Sequence, residues 1–167
     1  MIDHIGFVLV PPLVFPILVY LVFPTIARPI ITLRLLHNVC LAVYSAFVAI
    51  YVALHWHQHG IRVCSETVAM PSWFLVGWYA SKLWEWVDTA ILCARGIPIS
   101  RLHFWHHSFT ASLVAIQTLG RDRQTPLFEI ATFLNGAVHA IMYTYYASPS
   151  LIPRRFVTLV QLLQHSI

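Results

Sequence analysis

The chain has 167 residues, of which 59% are hydrophobic and only 10% are Asp, Glu, Lys or Arg. Its mean hydropathy of +0.73 is typical of membrane proteins and unusual for a soluble domain. The formal net charge is +4, but no basic run with interleaved aromatic residues is present, so nucleic-acid binding is not expected. We interpret the positive charge as a topology signal and as an attraction for anionic headgroups or substrates.

Apolar stretches long enough to cross a bilayer, which takes about 20 helical residues, follow one another along the chain. They are predicted near 7–24, 35–55, 72–93, 103–119 and 126–147, and a sixth begins near 156. Four prolines are expected to kink the first stretch: Pro11, Pro12, Pro16 and Pro24. Because the connections are short, the sequence predicts one all-α transmembrane domain over 1–167, a polytopic helical bundle without a soluble domain. No removable signal peptide is expected.

Arginine residues predict the orientation of this bundle. The loops after the first, third and fifth stretches carry six of them: Arg28, Arg34, Arg95, Arg101, Arg154 and Arg155. The opposite loops carry Arg62, Arg121 and Arg123, together with the acidic residues Glu66 and Asp122. The difference predicts that the N-terminus lies outside the cytosol and that the first set of loops is cytosolic.

A histidine cluster, HxxHH, opens the fourth stretch and consists of His103, His106 and His107. At helical spacing the three imidazoles lie at i, i+3 and i+4 and share one face. Ionisable groups at membrane depth usually line a cavity or pathway, so these histidines are candidate functional residues. The structural alternative is a set of interfacial or core histidines that form hydrogen bonds with their neighbours.

Three further polar clusters occupy apolar stretches. They are Lys82, Glu85, Asp88 and Thr89 in the third stretch, Asn135, His139, Tyr143 and Tyr146 in the fifth, and Thr158, Gln161 and Gln164 in the sixth. Each has a structural alternative, either as polar contacts between helices or as an interfacial aromatic belt. In the predicted topology all four clusters fall in one layer of the cytosolic half, which favours a buried site that faces the cytosol.

The four motifs together resemble the ELO family of very-long-chain fatty acid elongases. The matching patterns are KxxExxDT from Lys82, HxxHH from His103, HxxMYxYY from His139 and TxxQxxQ from Thr158. The segment 35–38, Leu-Leu-His-Asn, also resembles the second helix of that family. The resemblance implies a multi-pass enzyme of the endoplasmic reticulum membrane, with seven transmembrane helices, six of them around a substrate tunnel. The chain is then expected to be incomplete at its C-terminus.

The same resemblance implies the reaction of a very-long-chain 3-oxoacyl-CoA synthase, an acyltransferase. A long-chain acyl-CoA and malonyl-CoA give 3-oxoacyl-CoA, CO2 and CoA, and separate reductases and a dehydratase complete the elongation cycle. Acyl-CoA, malonyl-CoA and membrane lipids are the expected partners. No cofactor and no metal site are expected.

We assign roles to the histidines as a hypothesis. His106 attacks the thioester and carries the acyl group, because no cysteine belongs to a polar cluster and a neutral imidazole can act as the nucleophile. His139 faces His106, and Asp88 fixes the tautomer of a histidine in the cluster. His103 and His107 move protons or stabilise an oxyanion. The candidate substrate-binding residues are Lys82, Glu85, Arg101, Asn135, Tyr143, Tyr146, Gln161 and Gln164.

Two other classes of protein remain as alternatives. Membrane di-iron desaturases and hydroxylases also use HxxHH, but they need many ligands from several such clusters, and here only one HxxHH is present. His55, His57 and His59 alternate at a predicted helix end on the other side of the membrane, which indicates a wet interface. His4, His37 and His165 are isolated in the sequence. A transporter or scaffold would explain buried polar groups but not four ordered motifs.

Overall fold

The computed structural model describes residues 2–23, 33–61, 68–120 and 125–165, and every regular element in these ranges is helical. The α-helices are α1 (Ile2–Ile17), α2 (Arg34–His59), α3 (Ser72–Trp84), α4 (Trp86–Ala94), α5 (Arg101–Leu119), α6 (Pro126–Ala147) and α7 (Arg154–His165). The prediction of an all-α fold is confirmed.

The first apolar stretch changes its helical pitch after its prolines. Helix α1 runs through Pro11, Pro12 and Pro16, and a π-helical turn, Leu18–Val22, follows directly. The turn closes with a hydrogen bond of 2.8 Å from the Phe23 amide to the Leu18 carbonyl. Proline removes an amide donor and crowds the preceding turn, and helices commonly accommodate such a disturbance by local widening. Pro24, the fourth proline expected to disturb this stretch, lies outside the described residues.

The stretch predicted at 72–93 is two helices, because α3 ends at Trp84 and α4 begins at Trp86. At the junction the Asp88 amide donates to the Glu85 carbonyl at 3.0 Å, a contact between residues three apart. Side chains at i and i+3 lie one above the other in such a tight turn. Lys82 and Glu85 lie three residues apart at the end of α3, a spacing that puts two side chains side by side on a helix, and these two residues form an ion pair.

Helix α4 ends in a C-terminal cap that depends on a glycine, and a short loop then connects it to α5. Gly96 has a positive φ of 63°, the left-handed conformation that glycine adopts without steric cost. The Ile97 amide donates to Leu92 and the Gly96 amide donates to Cys93, each at 3.0 Å. These two bonds form a Schellman motif, and α5 begins a few residues later, at Arg101.

Within the described residues, one helix, Arg34–His59, is long and apolar enough to cross a bilayer, and Val8–Val22 is a shorter apolar helical segment. Helix α2 leaves seven large apolar side chains exposed: Leu35, Leu36, Val39, Val43, Phe47, Ile50 and Leu54. Contiguous exposed apolar surface of this kind indicates contact with lipid or with another protein. The six predicted spans and their orientation stay predictions.

The chain divides into two compact units. The first unit comprises Met1–Leu33 and Ala69–Arg123, and the second comprises Arg34–Val68 and Gln124–Ile167. In the first unit α5 packs against α1 and α3, and in the second α6 packs against α2 and α7. The first unit has a core that includes Phe15, Trp86 and Ala111, and Tyr143 is the central buried residue of a cluster in the second. The prediction of a single transmembrane domain over 1–167 stays a prediction.

Helices α2 and α6 of the second unit approach closely at Gly136. A Cβ atom on this residue would lie 3.0 Å from the Ser45 carbonyl oxygen and 3.1 Å from the Ala49 amide nitrogen. Small residues permit such close approach of two helix backbones. The contact therefore fixes the turn of α6 that carries Asn135 and His139.

Candidate active site

The histidine cluster lies in the first two turns of α5, because Ser100 ends the preceding loop as the N-cap of this helix. The Ser100 hydroxyl accepts a hydrogen bond of 3.1 Å from the backbone amide of His103. A serine at this position satisfies one of the unpaired amides of a helix start. The cap thus sets where the helix begins and which way the three imidazoles are directed.

The imidazoles of this cluster contact one another, as their spacing predicts. The His103 and His107 rings stack with centroids 4.2 Å apart, and the His106 ring meets His107 edge-on at 5.6 Å. Phe15 of α1 stacks on His107 at 6.0 Å. The Trp86 indole nitrogen donates to the His107 carbonyl at 3.1 Å. Helices α1 and α4 therefore both hold α5 at the level of the histidines.

The side chain that bonds His103 is Thr89. The Thr89 hydroxyl oxygen lies 2.8 Å from His103 Nε2, and Thr89 is fully buried. Asp88 interacts electrostatically with both His103 and Lys82, and its predicted role in fixing the tautomer of a histidine in the cluster stays a prediction. Thr89 belongs to the KxxExxDT pattern, but sequence reasoning gave it no role. Two neighbouring residues on a helix point about 100° apart, and spacing alone does not show which of them reaches the histidine.

Lys82 and Glu85 form a buried ion pair at the α3–α4 junction. Their exposed fractions are 2% and 3%, so each charge depends on its partner for stabilisation. The Lys82 ammonium also lies 3.8 Å from the centroid of the Trp78 ring, which adds a cation–π contact. The two residues that we predicted to bind substrate thus stabilise the helix junction beside the histidines.

A second polar cluster surrounds Tyr143 in the second unit. The fully buried Tyr143 ring meets the His139 ring at 5.6 Å and the His37 ring edge-on at 6.1 Å. Asn135, one turn before His139, is also buried, whereas Tyr146 is exposed. His37 is isolated in the sequence but belongs to this cluster in space. The signal that could have identified it is the segment 35–38, which we had noted only as a resemblance.

The predicted glutamines of α7 and the predicted arginine of α5 lie at the edges of these clusters. Gln161 donates to the Met142 sulfur at 3.2 Å and so joins α7 to α6, while Gln164 is half-buried and Arg101 is exposed. A cavity of about 560 Å³ in the first unit is lined by Arg101, Phe104 and apolar side chains. A guanidinium in such a cavity suits a ligand that is mainly apolar and carries an anionic group.

The first unit thus brings together Lys82, Glu85, Thr89 and the three histidines, with Asp88 and Arg101 beside them. The second unit brings together His139, Tyr143 and His37, a member that was not predicted from the sequence, with the buried Asn135 one turn before His139 and Gln161 of α7 bonded to Met142. Since the units are described separately, the prediction that His139 faces His106 stays a prediction.

A buried carboxylate, Glu129, was missed altogether. One of its oxygens, Oε2, accepts a hydrogen bond of 2.8 Å from the Trp56 indole nitrogen, and the other lies 3.9 Å from His55 Nε2. His55 Nε2 is also 3.1 Å from the Val68 carbonyl oxygen. The interpretation of His55 as part of a wet interface is wrong, because His55 is buried, whereas His57 and His59 are exposed. A single acidic residue in an apolar helix was the available signal.

The described part of the chain contains His, Cys, Asp and Glu residues, the side chains that most often bind metal ions. No three residues among its His, Cys, Asp and Glu are placed where they could hold a metal ion. The histidines of α5 are instead engaged with one another, with Thr89 and with Phe15.

Comparison with known proteins gives a consistent family. A model of the family described as "ELO: GNS1/SUR4 family" matches residues 10–167. The chain is 32% identical over 140 residues to "Putative fatty acid elongase 2" of Schizosaccharomyces pombe, which covers 77% of this chain and 38% of that protein. It is 32% identical over 107 residues to human "Very long chain fatty acid elongase 3", covering 60% and 37% respectively. Over 68 residues it is 43% identical to "Long chain fatty acid elongase 1" of Caenorhabditis elegans, covering 40% and 22%.

Helices with exposed apolar surface and buried polar clusters are features of helical membrane proteins. The chain belongs to the ELO (GNS1/SUR4) family, a family of multi-span membrane proteins. The chain spans less than two fifths of the length of the curated relatives described above.

Proposed function

We propose that the chain carries the condensing chemistry of fatty acid elongation. In this proposal a long-chain acyl-CoA and malonyl-CoA react to give 3-oxoacyl-CoA, CO2 and CoA. The observation that carries the proposal is the family match over residues 10–167, since the relatives it shares sequence with are named fatty acid elongases. The contacts among the α5 histidines support it, because they place several imidazoles of one helix side by side.

The reaction consists of two bond exchanges. First, a neutral imidazole of His106 attacks the acyl-CoA carbonyl, the carbon–sulfur bond breaks, and CoA leaves with the proton given up by the imidazole. Second, malonyl-CoA loses CO2, and the electron pair of the broken carbon–carbon bond forms an enolate. The enolate carbon attacks the acyl-imidazole, the carbon–nitrogen bond breaks, the released imidazole nitrogen takes up one proton that originates from solvent, and neutral His106 is regenerated. Histidine is a known type of covalent nucleophile, and no external oxidant or reductant is needed.

In this proposal the other predicted residues stabilise developing negative charge, transfer protons or bind anionic groups of the substrates. His103 and His107 stabilise the oxyanion or transfer protons, and neutral hydrogen-bond donors in a site with little water are effective in that role. His139, Asn135 and Tyr143 form the corresponding polar surface of the second unit. Arg101 is exposed and available to an anion such as a carboxylate or a phosphate, which arginine binds well.

The cellular setting is part of the same proposal. The enzyme lies in the endoplasmic reticulum membrane as a multi-pass protein and takes acyl-CoA and malonyl-CoA without a cofactor. Separate reductases and a dehydratase act on its product, because a 3-oxo group must be reduced, dehydrated and reduced again before the acyl chain is saturated.

The test is incorporation of labelled malonyl-CoA into long-chain acyl products by membranes that contain the chain. We expect two-carbon extension by the wild type and a loss on the order of 10²-fold or more in His106→Ala, the scale seen when a nucleophile is removed. His57→Ala is the matched control, since His57 is an exposed histidine outside both clusters. Normal turnover in His106→Ala together with an inactive His107→Ala would disprove the assignment of the nucleophile. Failure of the wild type to extend any acyl-CoA primer would disprove the function.

A further inference from the structure

The hydroxyl of Thr89 forms its hydrogen bond with a side chain of another helix, whereas most of the described helical hydroxyls bond to a carbonyl of their own helix. Five Ser and Thr side chains donate to the carbonyl four residues earlier in their own helix: Ser108, Thr110, Thr118, Thr144 and Thr158. This bond within the helix is the usual way to satisfy a helical hydroxyl. Thr89 instead lies 2.8 Å from His103 Nε2, and no other hydrogen bond of its hydroxyl is found in the described part of the chain.

The direction of this hydrogen bond follows from burial. Thr89 has no exposed surface, so water does not reach its hydroxyl. If His103 Nε2 carried the proton and donated it to Thr89, the hydroxyl hydrogen would remain buried without an acceptor. Such an unsatisfied donor costs on the order of 1–3 kcal/mol. If Thr89 donates to an unprotonated Nε2, both groups are satisfied. The second arrangement is therefore the more stable one.

The position of the proton on the imidazole follows from this direction. A neutral imidazole carries one N–H, and the bond made by one nitrogen decides which nitrogen holds the proton. With Nε2 accepting from Thr89, the proton of His103 lies on Nδ1. We propose that Thr89 is a positioning residue that keeps His103 as the Nδ1–H tautomer and so makes Nδ1–H the hydrogen-bond donor of His103 in the condensation.

The catalytic part of this inference rests on the proposed function. The stacked ring of His107 restricts rotation of His103 from one side, and Thr89 holds Nε2. A donor that is fixed before the substrate arrives stabilises a developing oxyanion without reorganising during the reaction. The Thr89 hydroxyl acts on the substrate only through the imidazole. The wrong tautomer of a catalytic histidine is known to lower turnover strongly even where the geometry is kept.

The test compares Thr89→Val, which keeps the branched shape and removes the hydroxyl, with Thr89→Ser, which keeps the hydroxyl. The tautomer of His103 is read from the 15N shifts of histidine-labelled chain in lipid bilayers, and His103→Gln identifies the signal. We expect Nδ1–H in the wild type and in Thr89→Ser, and Nε2–H in Thr89→Val. In the malonyl-CoA assay, Thr89→Val should lose on the order of 10²-fold in rate, as for loss of one oxyanion donor, and Thr89→Ser should retain most of it.

The outcomes separate the two proposals. An Nε2–H signal in the wild type, or the same tautomer in wild type and Thr89→Val, overturns the inference. A changed tautomer with an unchanged elongation rate overturns the positioning role. If the wild type extends no acyl-CoA, the proposed function fails, while the 15N measurement, which needs no substrate, still decides whether Thr89 holds the His103 proton on Nδ1.

Discussion

Glu85 in the first unit and Glu129 in the second are both 3% exposed, yet their surroundings differ. Glu85 forms an ion pair with Lys82, which has its own second contact with Trp78. Glu129 receives one hydrogen bond from Trp56, and among the described residues its Oε1 atom has no hydrogen-bond partner, with His55 Nε2 3.9 Å away. A buried charge that is paired depends on its partner for stabilisation, whereas a buried carboxyl oxygen without a hydrogen bond carries a desolvation cost that no partner offsets.

The largest loss of stability is expected where a buried charge loses its partner. Lys82→Met leaves Glu85 charged and buried, and removal of one member of a buried ion pair costs about 3–5 kcal/mol. The double variant Lys82→Met/Glu85→Met should recover much of this loss, since an apolar pair replaces the two charges. Thermal unfolding in detergent, followed by tryptophan fluorescence, measures both variants. Equal stability of Lys82→Met and the wild type would show that the ion pair does not stabilise the α3–α4 junction.

A smaller loss of stability is expected at the contact between α6, which carries Glu129, and α2, which carries its partners Trp56 and His55. Gly136→Ala places a methyl group 3.0 Å from the Ser45 carbonyl oxygen, so α2 and α6 must move apart. Overpacking of this kind costs about 1–3 kcal/mol. Hydrogen exchange should increase in α2 and α6 and stay unchanged in α5 of the first unit. Ala137→Gly is the neighbouring control for the change in backbone freedom, and an unaltered α2–α6 exchange rate in Gly136→Ala would contradict the close packing.

The smallest effect is expected for Glu129→Gln. The amide keeps an acceptor for the Trp56 indole and carries no charge, so the free energy of unfolding should change by less than about 1 kcal/mol. The same substitution at Glu85 leaves the buried Lys82 ammonium without its carboxylate, and the loss in free energy of unfolding should be several times larger. The two variants are compared by the same unfolding assay. If Glu129→Gln destabilises the chain as much as Glu85→Gln does, the two carboxyl groups do not differ in how strongly they depend on a charged partner.

The sequence predicted the helices well, because apolar stretches of this length have few alternatives to a helix. It did not predict the break at Glu85, since the apolar composition continues across that residue. His37 and Glu129 were missed because each is a single polar residue whose partners are far along the chain. The hydrogen bond from Trp56 to Glu129 joins residues 73 positions apart, and helical spacing carries no information about such pairs.

Helical spacing was also insufficient to predict the contacts of the histidine cluster, although these residues are closer together in the sequence. The spacing of His103 and His107 predicted that their rings meet, and they do. The choice between Asp88 and Thr89 as the partner of His103 depends on the rotation of α4 relative to α5, which is set by packing around Trp86 and Phe15. A pattern in one helix identifies a face, but the neighbour that meets this face is determined by tertiary structure.

The cap of α5 has a consequence for the changes in length that the family can tolerate during evolution. His103 uses its backbone amide to bond Ser100 and its ring to bond Thr89. An insertion before Ser100 lengthens the loop and leaves the imidazoles in register. One extra residue between Ser100 and His103 rotates the following side chains by about 100°, which turns all three imidazoles away from α4 at once. Natural variation in loop length should therefore accumulate between Gly96 and Ser100 and stop at the serine.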